Sequence, residues 1–457
     1  IELRTMSEES NCEEQPLDLL NQLEHILESD PLIDEVGFIH PSQFVALNEE
    51  AGGPLLSSIG TVLQSADEIV KSKISEANLS NTVFWNRDHK LGISTEVLLP
   101  LYNEAKHAFM AALEQYKMRS NLLVERDESR AESVSRCFST SLNILESQVM
   151  RHSRALLLLS CDFGTAWNYR KLVLSKKQHF PIFMDELLLS ALVLSYSPKS
   201  ESAWSHRRWV IKMIAGTCSN LQEIVEKESE LVKKIAEKSK MNYRAWNHRC
   251  WLVSYMSQGQ VLHELNKSRD WAGLHVADNS CFHYRTRLML RMLENSWHKQ
   301  DANACSCCNA EIHQVWKEEL DWNEMLIKRY IGREALWLHR RFLSLCWIKH
   351  FATDIHDFNC HSDHKTSINH DIGIFVDNEL RLFGSCSTIL DNDFEDFQAH
   401  AVFSATYILW LSKQISESLG IELQQKLSVR ELKTLLNKVC PEKTFLWDSL
   451  VGLCGCI

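Results

Sequence analysis

The chain has 457 residues, 45% of them apolar, with only 15 Gly and 8 Pro and a formal charge of -11. That length buries a large core, and the scarcity of Gly and Pro points to a mostly helical protein, not a β-sandwich or a disordered chain. The acid excess excludes a general nucleic-acid binder, whose affinity would rest on neutralising phosphates.

The 15 cysteines lack the spacing of a secreted disulfide framework and no signal-peptide core precedes them, so they read as free, mostly buried thiols of a cytoplasmic protein. Apolar runs such as Leu187 to Leu194 and Ala401 to Leu411 are too short or too interrupted to span a bilayer. Met6 reads as the natural start, with residues 1–5 upstream of it.

Residues 1–80 form an acidic N-terminal extension. Ile1 to Glu35 holds eleven acidic residues against the single Arg4, and a short helix over Leu17 to Leu27 is expected in solvated, mobile surroundings. Residues 81–160 contribute N-terminal helices packed on the repeat array, over Glu96 to Met118 and Ala131 to Leu159, where apolar residues recur at helical spacing.

Residues 161–350 carry five related stretches: "FGTAWNYRKLVL" (163–174), "ESAWSHRRWVIK" (201–212), "NYRAWNHRCWLV" (242–253), "NSCFHYRTRLML" (279–290) and "REALWLHRRFLS" (333–344). The aromatics Trp167, Trp204, Trp246, Phe282 and Trp337 stand 37, 42, 36 and 55 residues apart, and each is followed at +3 by Arg170, Arg207, Arg249, Arg285 or Arg340. A second helical run separates successive motifs: Ile182 to Tyr196, Leu221 to Lys238, Val261 to His275. A helix pair at this period is the signature of an all-α superhelix, or solenoid, of tetratricopeptide-like helical hairpins. The long last interval contains "NACSCCNAEIH" and reads as an insertion over 295–315; residues 351–371 are a polar interruption, and helices return over Ile372 to Leu382, Asp396 to Ile415 and Val429 to Val439.

On a helix starting near Ser202, Trp204, Arg207, Arg208 and Ile211 share one face. A tryptophan there fills the gap between stacked hairpins, and the arginine satisfies carbonyls or a carboxylate of its neighbour. An active site is needed once and a joint at every repeat, so Trp204, His206, Arg207 and their counterparts read as structural. The preceding turns are less uniform. Pro198-Lys199-Ser200 puts a lysine at a helix start, where free amides favour an anion, and Tyr243 and Arg244 follow a capping Asn242 at the next.

The five W-x-H-R-like motifs, with their helix-pair period, resemble the repeats of protein prenyltransferase α subunits, and within that family the lineage of α-subunit repeat-containing proteins. The resemblance covers residues 163–344. It implies a crescent of hairpins around a separate β subunit that holds the zinc ion and the isoprenoid pocket, with no cofactor in this chain. It implies that Lys199 and Tyr243 act on the isoprenoid diphosphate, a co-substrate, and that Arg244 lies on the substrate side. Two positions depart from farnesyltransferase-type α subunits: Glu201 stands where they have a tyrosine, and Arg244 where they have a histidine. The resulting expectation is the α subunit of a heterodimeric prenyltransferase, geranylgeranyl in preference to farnesyl. It would pair with the β subunit of Rab geranylgeranyltransferase and act on a C-terminal cysteine of a protein, including already prenylated SNAREs. The contrasting reading is a non-catalytic repeat adaptor. Tetratricopeptide units hold close to 34 residues, and an adaptor has no need of Lys199.

Weaker signals are Cys305, Cys307 and Cys308 with His298 and His313, and His356, Cys360, His361 and His364; neither set has the paired spacing of a zinc site, so no metal is expected. The terminal "CGCI" makes Cys454 a poor prenylation acceptor, because its middle residues are not aliphatic.

Overall fold

The computed structural model describes residues 6–44, 46, 83–124, 132–177, 179–216, 218–300, 306–351, 364–387, 395–415 and short pieces of 433–448. The fold is all-α, with one small sheet near the N-terminus. The helices are α1 (Met6–Ser29), α2 (Leu98–Val124), α3 (Glu132–Leu159), α4 (Gly164–Lys177), α5 (Phe180–Tyr196), α6 (Glu201–Ala215), α7 (Leu221–Lys238), α8 (Tyr243–Leu252), α9 (Gln258–Leu274), α10 (Asn279–Gln300), α11 (Ser306–Arg329), α12 (Glu334–Cys346), α13 (His364–Cys386) and α14 (Glu395–Gln414). Two compact units divide inside α8, residues 1–248 and 249–457.

In the first unit α1 docks on α2 and α3. Leu20, Leu23 and Leu27, at helical spacing, are buried there, and the buried Glu24 takes Arg151 at 2.8 Å and His152 at 2.6 Å. The helix expected over Leu17 to Leu27 lies within α1, and one of its faces is packed on α2 and α3. Asp18 and Glu28 of this helix are exposed, whereas Glu24 is buried with its two partners, and Leu20, Leu23 and Leu27 supply the docking face. The strands β1 (Glu35–Ile39), β2 (Phe84–Arg87) and β3 (Lys90–Ser94) form a sheet in the order β1-β3-β2, parallel for the first pair and antiparallel for the second. Buried Val36, Leu91 and Ile93 hold it, and β1 packs on α5.

The helical hairpins come next: α3 with α4 and α5 with α6, then α7 leading into α8 in the first unit; α9 with α10, α11 with α12 and α13 with α14 in the second. Ends are set by local chemistry. Pro181 occupies the first turn of α5, where its missing N–H costs nothing. Ser200 caps α6 by accepting from the Ala203 N–H at 3.2 Å, and Asn242 caps α8 by accepting from the Ala245 N–H at 3.1 Å. Ser257 and Gln260 form a reciprocal capping box on α9.

The described part of the 295–315 insertion is helical. α10 runs on to Gln300, and "SCCNAEIH" opens α11, so the extra length is taken up by longer helices. Residues 301–305, which include Cys305, and 352–363, which include His356, Cys360 and His361, lie outside the described residues, as does the C-terminal Cys454; the polar interruption gives way to α13 at His364. Among the described residues no helix is long and apolar enough to cross a membrane.

Candidate functional site

Each hairpin is closed by the same buried joint. Arg170 donates through Nη1 to the Met150 carbonyl at 2.6 Å and to Ser153 Oγ at 2.7 Å, while its Nε and Nη2 fork onto Glu186. Arg207 repeats this on the Leu187 carbonyl (2.5 Å), Ser190 (2.9 Å) and Glu228. Arg285 uses the Leu265 carbonyl (2.7 Å), Ser268 (2.8 Å) and Glu319, and Arg340 uses the Leu320 carbonyl (2.6 Å) and Glu379. Arg249 reaches Glu264 at 3.2 Å. In the four full forks the carbonyl lies 20 residues upstream of its arginine.

Each glutamate also holds the side chain one residue before the next arginine. Glu186 bonds His206 at 2.8 Å, Glu228 bonds His248 at 2.7 Å, Glu264 accepts from Tyr284 at 2.7 Å, and Glu319 bonds His339 at 3.0 Å, again at a constant separation of 20. Glu379 accepts from the Tyr407 hydroxyl at 2.6 Å, so α13 and α14 form a further hairpin of the same kind, although 372–457 carries no recognisable motif. Rings seal the contacts: Trp167 lies 4.6 Å from His206 and Trp204 4.9 Å from His248, centroid to centroid. The repeat aromatics Trp167, Trp204, Trp246, Phe282 and Trp337, and the arginines beside them, are all buried, which places them in the scaffold.

Protonation follows from this wiring. Burial opposes ionisation of Glu186, but Arg170 and His206 outweigh it and hold the carboxyl at about 2; Glu228, with Arg207 and His248, likewise sits at about 2. Burial lowers the pKa of His206, His248 and His339 in spite of the glutamate beside each, so the rings are neutral and donate to it. The sequence reading missed the glutamates. Their signal was available: an acid inside an otherwise apolar helix, as in Asp185-Glu186 before Leu187 to Leu194, 20 residues ahead of a motif histidine.

The thiols take no part. Cys250, Cys281, Cys346 and Cys386 are buried and free, and burial pushes Cys250 and Cys281 up to about 12 and Cys346 to about 11. His313 packs against Trp347 and Phe351. Among the described residues no group of three His, Cys, Asp or Glu is placed to hold a metal ion.

The turns before the motif helices differ from one another. The indole N–H of Trp204 donates to the Pro198 carbonyl at 3.0 Å, six residues back, as Trp167 does to the Cys161 carbonyl at 2.8 Å. Asn242 donates to that same Pro198 carbonyl at 2.7 Å. One carbonyl thereby clasps the Pro198–Ser200 turn to the first turn of α8, and so sets Lys199 beside the element that begins with Tyr243 and Arg244. Lys199 is exposed and makes no hydrogen bond or ion pair among the described residues. Tyr243 is 60% exposed. Arg244 donates through Nε to Glu201 at 2.8 Å, and Arg208 donates to the other Glu201 oxygen at 2.8 Å. The two positions that depart from the farnesyltransferase-type pattern are thus bonded to each other.

Comparison with known proteins agrees with this architecture. The protein prenyltransferase alpha subunit repeat family matches residues 183–214 and 225–256, which are the hairpins on either side of the Lys199 turn and the start of α8. Over 228 residues the chain is 33% identical to protein prenyltransferase alpha subunit repeat-containing protein 1 of Danio rerio, covering 42% of this chain and 53% of that protein. It is 32% identical to the Homo sapiens protein of the same name, over 41% of this chain and 56% of that one. Geranylgeranyl transferase type-2 subunit alpha of Saccharomyces cerevisiae is 25% identical over 163 residues, 33% of this chain and 47% of the yeast protein. The chain spans about half the length of the curated relatives it matches. Residues 183–214 and 225–256 thus match the protein prenyltransferase alpha subunit repeat, and the chain is similar over about two fifths of its length to the repeat-containing proteins of vertebrates.

Proposed function

We propose that this chain is the α subunit of a heterodimeric protein prenyltransferase, active only with a β subunit. The observation that carries the proposal is the clasp at the Pro198 carbonyl, which ties the turn holding the unpaired Lys199 to Asn242, the residue before Tyr243, inside the two matched repeats. The lipid is geranylgeranyl in preference to farnesyl, in line with the similarity to geranylgeranyl transferase type-2 alpha subunits. The β subunit is that of Rab geranylgeranyltransferase, and the acceptor is a C-terminal cysteine of a cytoplasmic protein, including already prenylated SNAREs.

A zinc ion held by the β subunit would keep the acceptor cysteine as its thiolate, the nucleophile. The residues of this chain act on the other partner of the reaction. As the carbon–oxygen bond to diphosphate breaks, negative charge grows on the leaving oxygens, and a preplaced ammonium lowers the barrier in proportion. Lys199 provides that ammonium, and the Tyr243 hydroxyl a hydrogen bond. The test is co-expression with each candidate β subunit, purification of the pair and assay of labelled isoprenoid transfer. Transfer with one β subunit is expected; a chain that associates with none of them leaves the adaptor reading in its place.

A further inference from the structure

In a chain with a formal charge of -11, the Lys199 turn and the helices α4, α6 and α8 carry several cations outside the buried joints. Two carboxylates lie near the turn, Glu201 and Asp162, the latter accepting from Ser200 Oγ at 2.7 Å. Lys171 lies on α4, Arg208 and Lys212 on α6, and Arg244 on α8, with Lys199 in the turn. Lys171, Lys199 and Lys212 make no hydrogen bond or ion pair among the described residues. The carboxylate these arginines share is Glu201. It is exposed, yet both oxygens are occupied: Arg208 Nη2 on one at 2.8 Å and Arg244 Nε on the other at 2.8 Å.

Arg208 reaches back along two turns of its own helix, and Arg244 reaches across from the next one. Glu201 therefore draws two guanidiniums from separate elements to the first turn of α6, two residues from Lys199. Each guanidinium keeps further N–H groups for a ligand, since Arg244 uses Nε alone and Arg208 a single Nη. Lys171 holds on α4 the position that Arg208 holds on α6, four residues after the repeat tryptophan, and the two helices pack. Burial and the Arg208 charge together hold the Lys171 ammonium below the ordinary lysine range, the condition of a cation lacking its anion. Exposed salt bridges contribute little to stability, so the fork is better explained by what it presents than by what it holds up.

We propose that Glu201 is a positioning residue: it gathers Arg208 and Arg244 beside Lys199 into a subsite for a compact phosphoryl polyanion. For the identity of that anion, the diphosphate of the isoprenoid, the proposal rests on the prenyltransferase reading. Two consequences of removing the Glu201 charge point in opposite directions. Through its field alone, Glu201→Gln tightens binding of any anion; through loss of the fork, it weakens it.

The experiment is calorimetric titration of the full-length chain with inorganic pyrophosphate at low ionic strength, each variant first checked for an unchanged melting temperature. Wild type binds, and Glu201→Gln weakens binding about tenfold or more, the scale of one charge-assisted hydrogen bond. Arg208→Gln weakens it similarly, and the double variant adds little to either single one, because both remove the same arrangement. Unchanged or tighter binding in Glu201→Gln overturns the proposal, as does a wild-type chain that ignores pyrophosphate. If the expected binding pattern stands but no β subunit supports transfer, the transferase reading falls and the subsite remains.

Discussion

Trp204 and Lys199 are five residues apart, yet they belong to regions built on opposite rules. Inside, the joint repeats one plan: an arginine on the carbonyl 20 residues upstream, a glutamate forked by it, a histidine or tyrosine closing the other side. Outside, two of the turns share an indole–carbonyl bond, Trp167 to Cys161 and Trp204 to Pro198, and beyond it each carries its own side chains. The spacing between repeats varies where the joint allows it. From glutamate to the histidine or tyrosine of the next motif the separation stays at 20, and only the motif-free α13–α14 hairpin departs from it, at 28. From arginine to the next glutamate, by contrast, it runs from 15 to 39 residues. A scaffold that fixes its joints leaves its turns free to diverge, and chemistry unique to one repeat belongs in those turns.

The largest effects are expected at the joints. Arg207→Ala strands Glu228 in the core and should cost about 3–5 kcal/mol, the scale of breaking one partner of a buried pair. Trp204→Ala, which opens a cavity at a fully buried ring, should cost about as much. Trp246→Ala belongs to the same class. Chemical denaturation of the purified chain measures all three, and a variant as stable as wild type would remove the packing role of that joint.

Acid should attack the same joints cooperatively. The folded pKa of His206 lies below its ordinary 6.5, and those of Glu186 and Glu228 lie at about 2, below 4.5. In each case the unfolded chain binds more protons as pH falls, so stability is full above about 6.5 and is lost downward from there. The histidines contribute first, and the glutamates below 4.5. Melting temperature should therefore fall from pH 7 to pH 4, and His206→Gln, which cannot take up a proton, should flatten the slope between pH 6.5 and 5. A melting temperature independent of pH over that range contradicts the wiring.

Legibility in the sequence divides in the same way. The repeated tryptophans and arginines were legible because a joint used five times leaves five copies. The glutamates left a weaker signal, because Glu186 stands beside a second acid, Asp185, Glu228 lies in a highly charged helix, and the constant step of 20 to the next motif shows only once the pairs are known. The sheet was hidden for another reason. Its hairpin turns at Asp88 and His89, both with positive φ, without the Gly that announces such a turn, and β1 joins from 55 residues upstream. The Lys199 turn was legible in residue type, but the Glu201 fork was not, because Arg208 and Arg244 meet only once α6 and α8 are placed side by side.

At the turn, the expected effect is on rate and not on folding. Lys199→Ala should leave the melting temperature and β-subunit association unchanged while slowing single-turnover transfer by about one to two orders of magnitude, as for removal of one preplaced donor to a developing anion. Wild-type single-turnover rates in that variant would put the chemistry elsewhere. A drop in stability instead would assign Lys199 to the scaffold.

The smallest effect separates the two regions most cleanly. Met241 ends the turn before α8 with φ at 53°, a left-handed conformation that costs a residue bearing a Cβ, and its side chain is 74% exposed. No packing is lost with it, so Met241→Gly should stabilise the chain by about 0.5–1 kcal/mol, the relief of that strain less the added freedom of the unfolded glycine. Such strain persists where surrounding bonds impose it, and here they are those of Asn242 to the Pro198 carbonyl and to the α8 cap. If the left-handed turn exists to present Tyr243 and Arg244 toward Lys199, the glycine variant should melt later and yet bind pyrophosphate more weakly, because a looser turn holds Arg244 less firmly on Glu201. A variant that gains stability with unchanged binding would make the strain incidental to the site, and would leave Asn242 alone as the device that aligns the two turns.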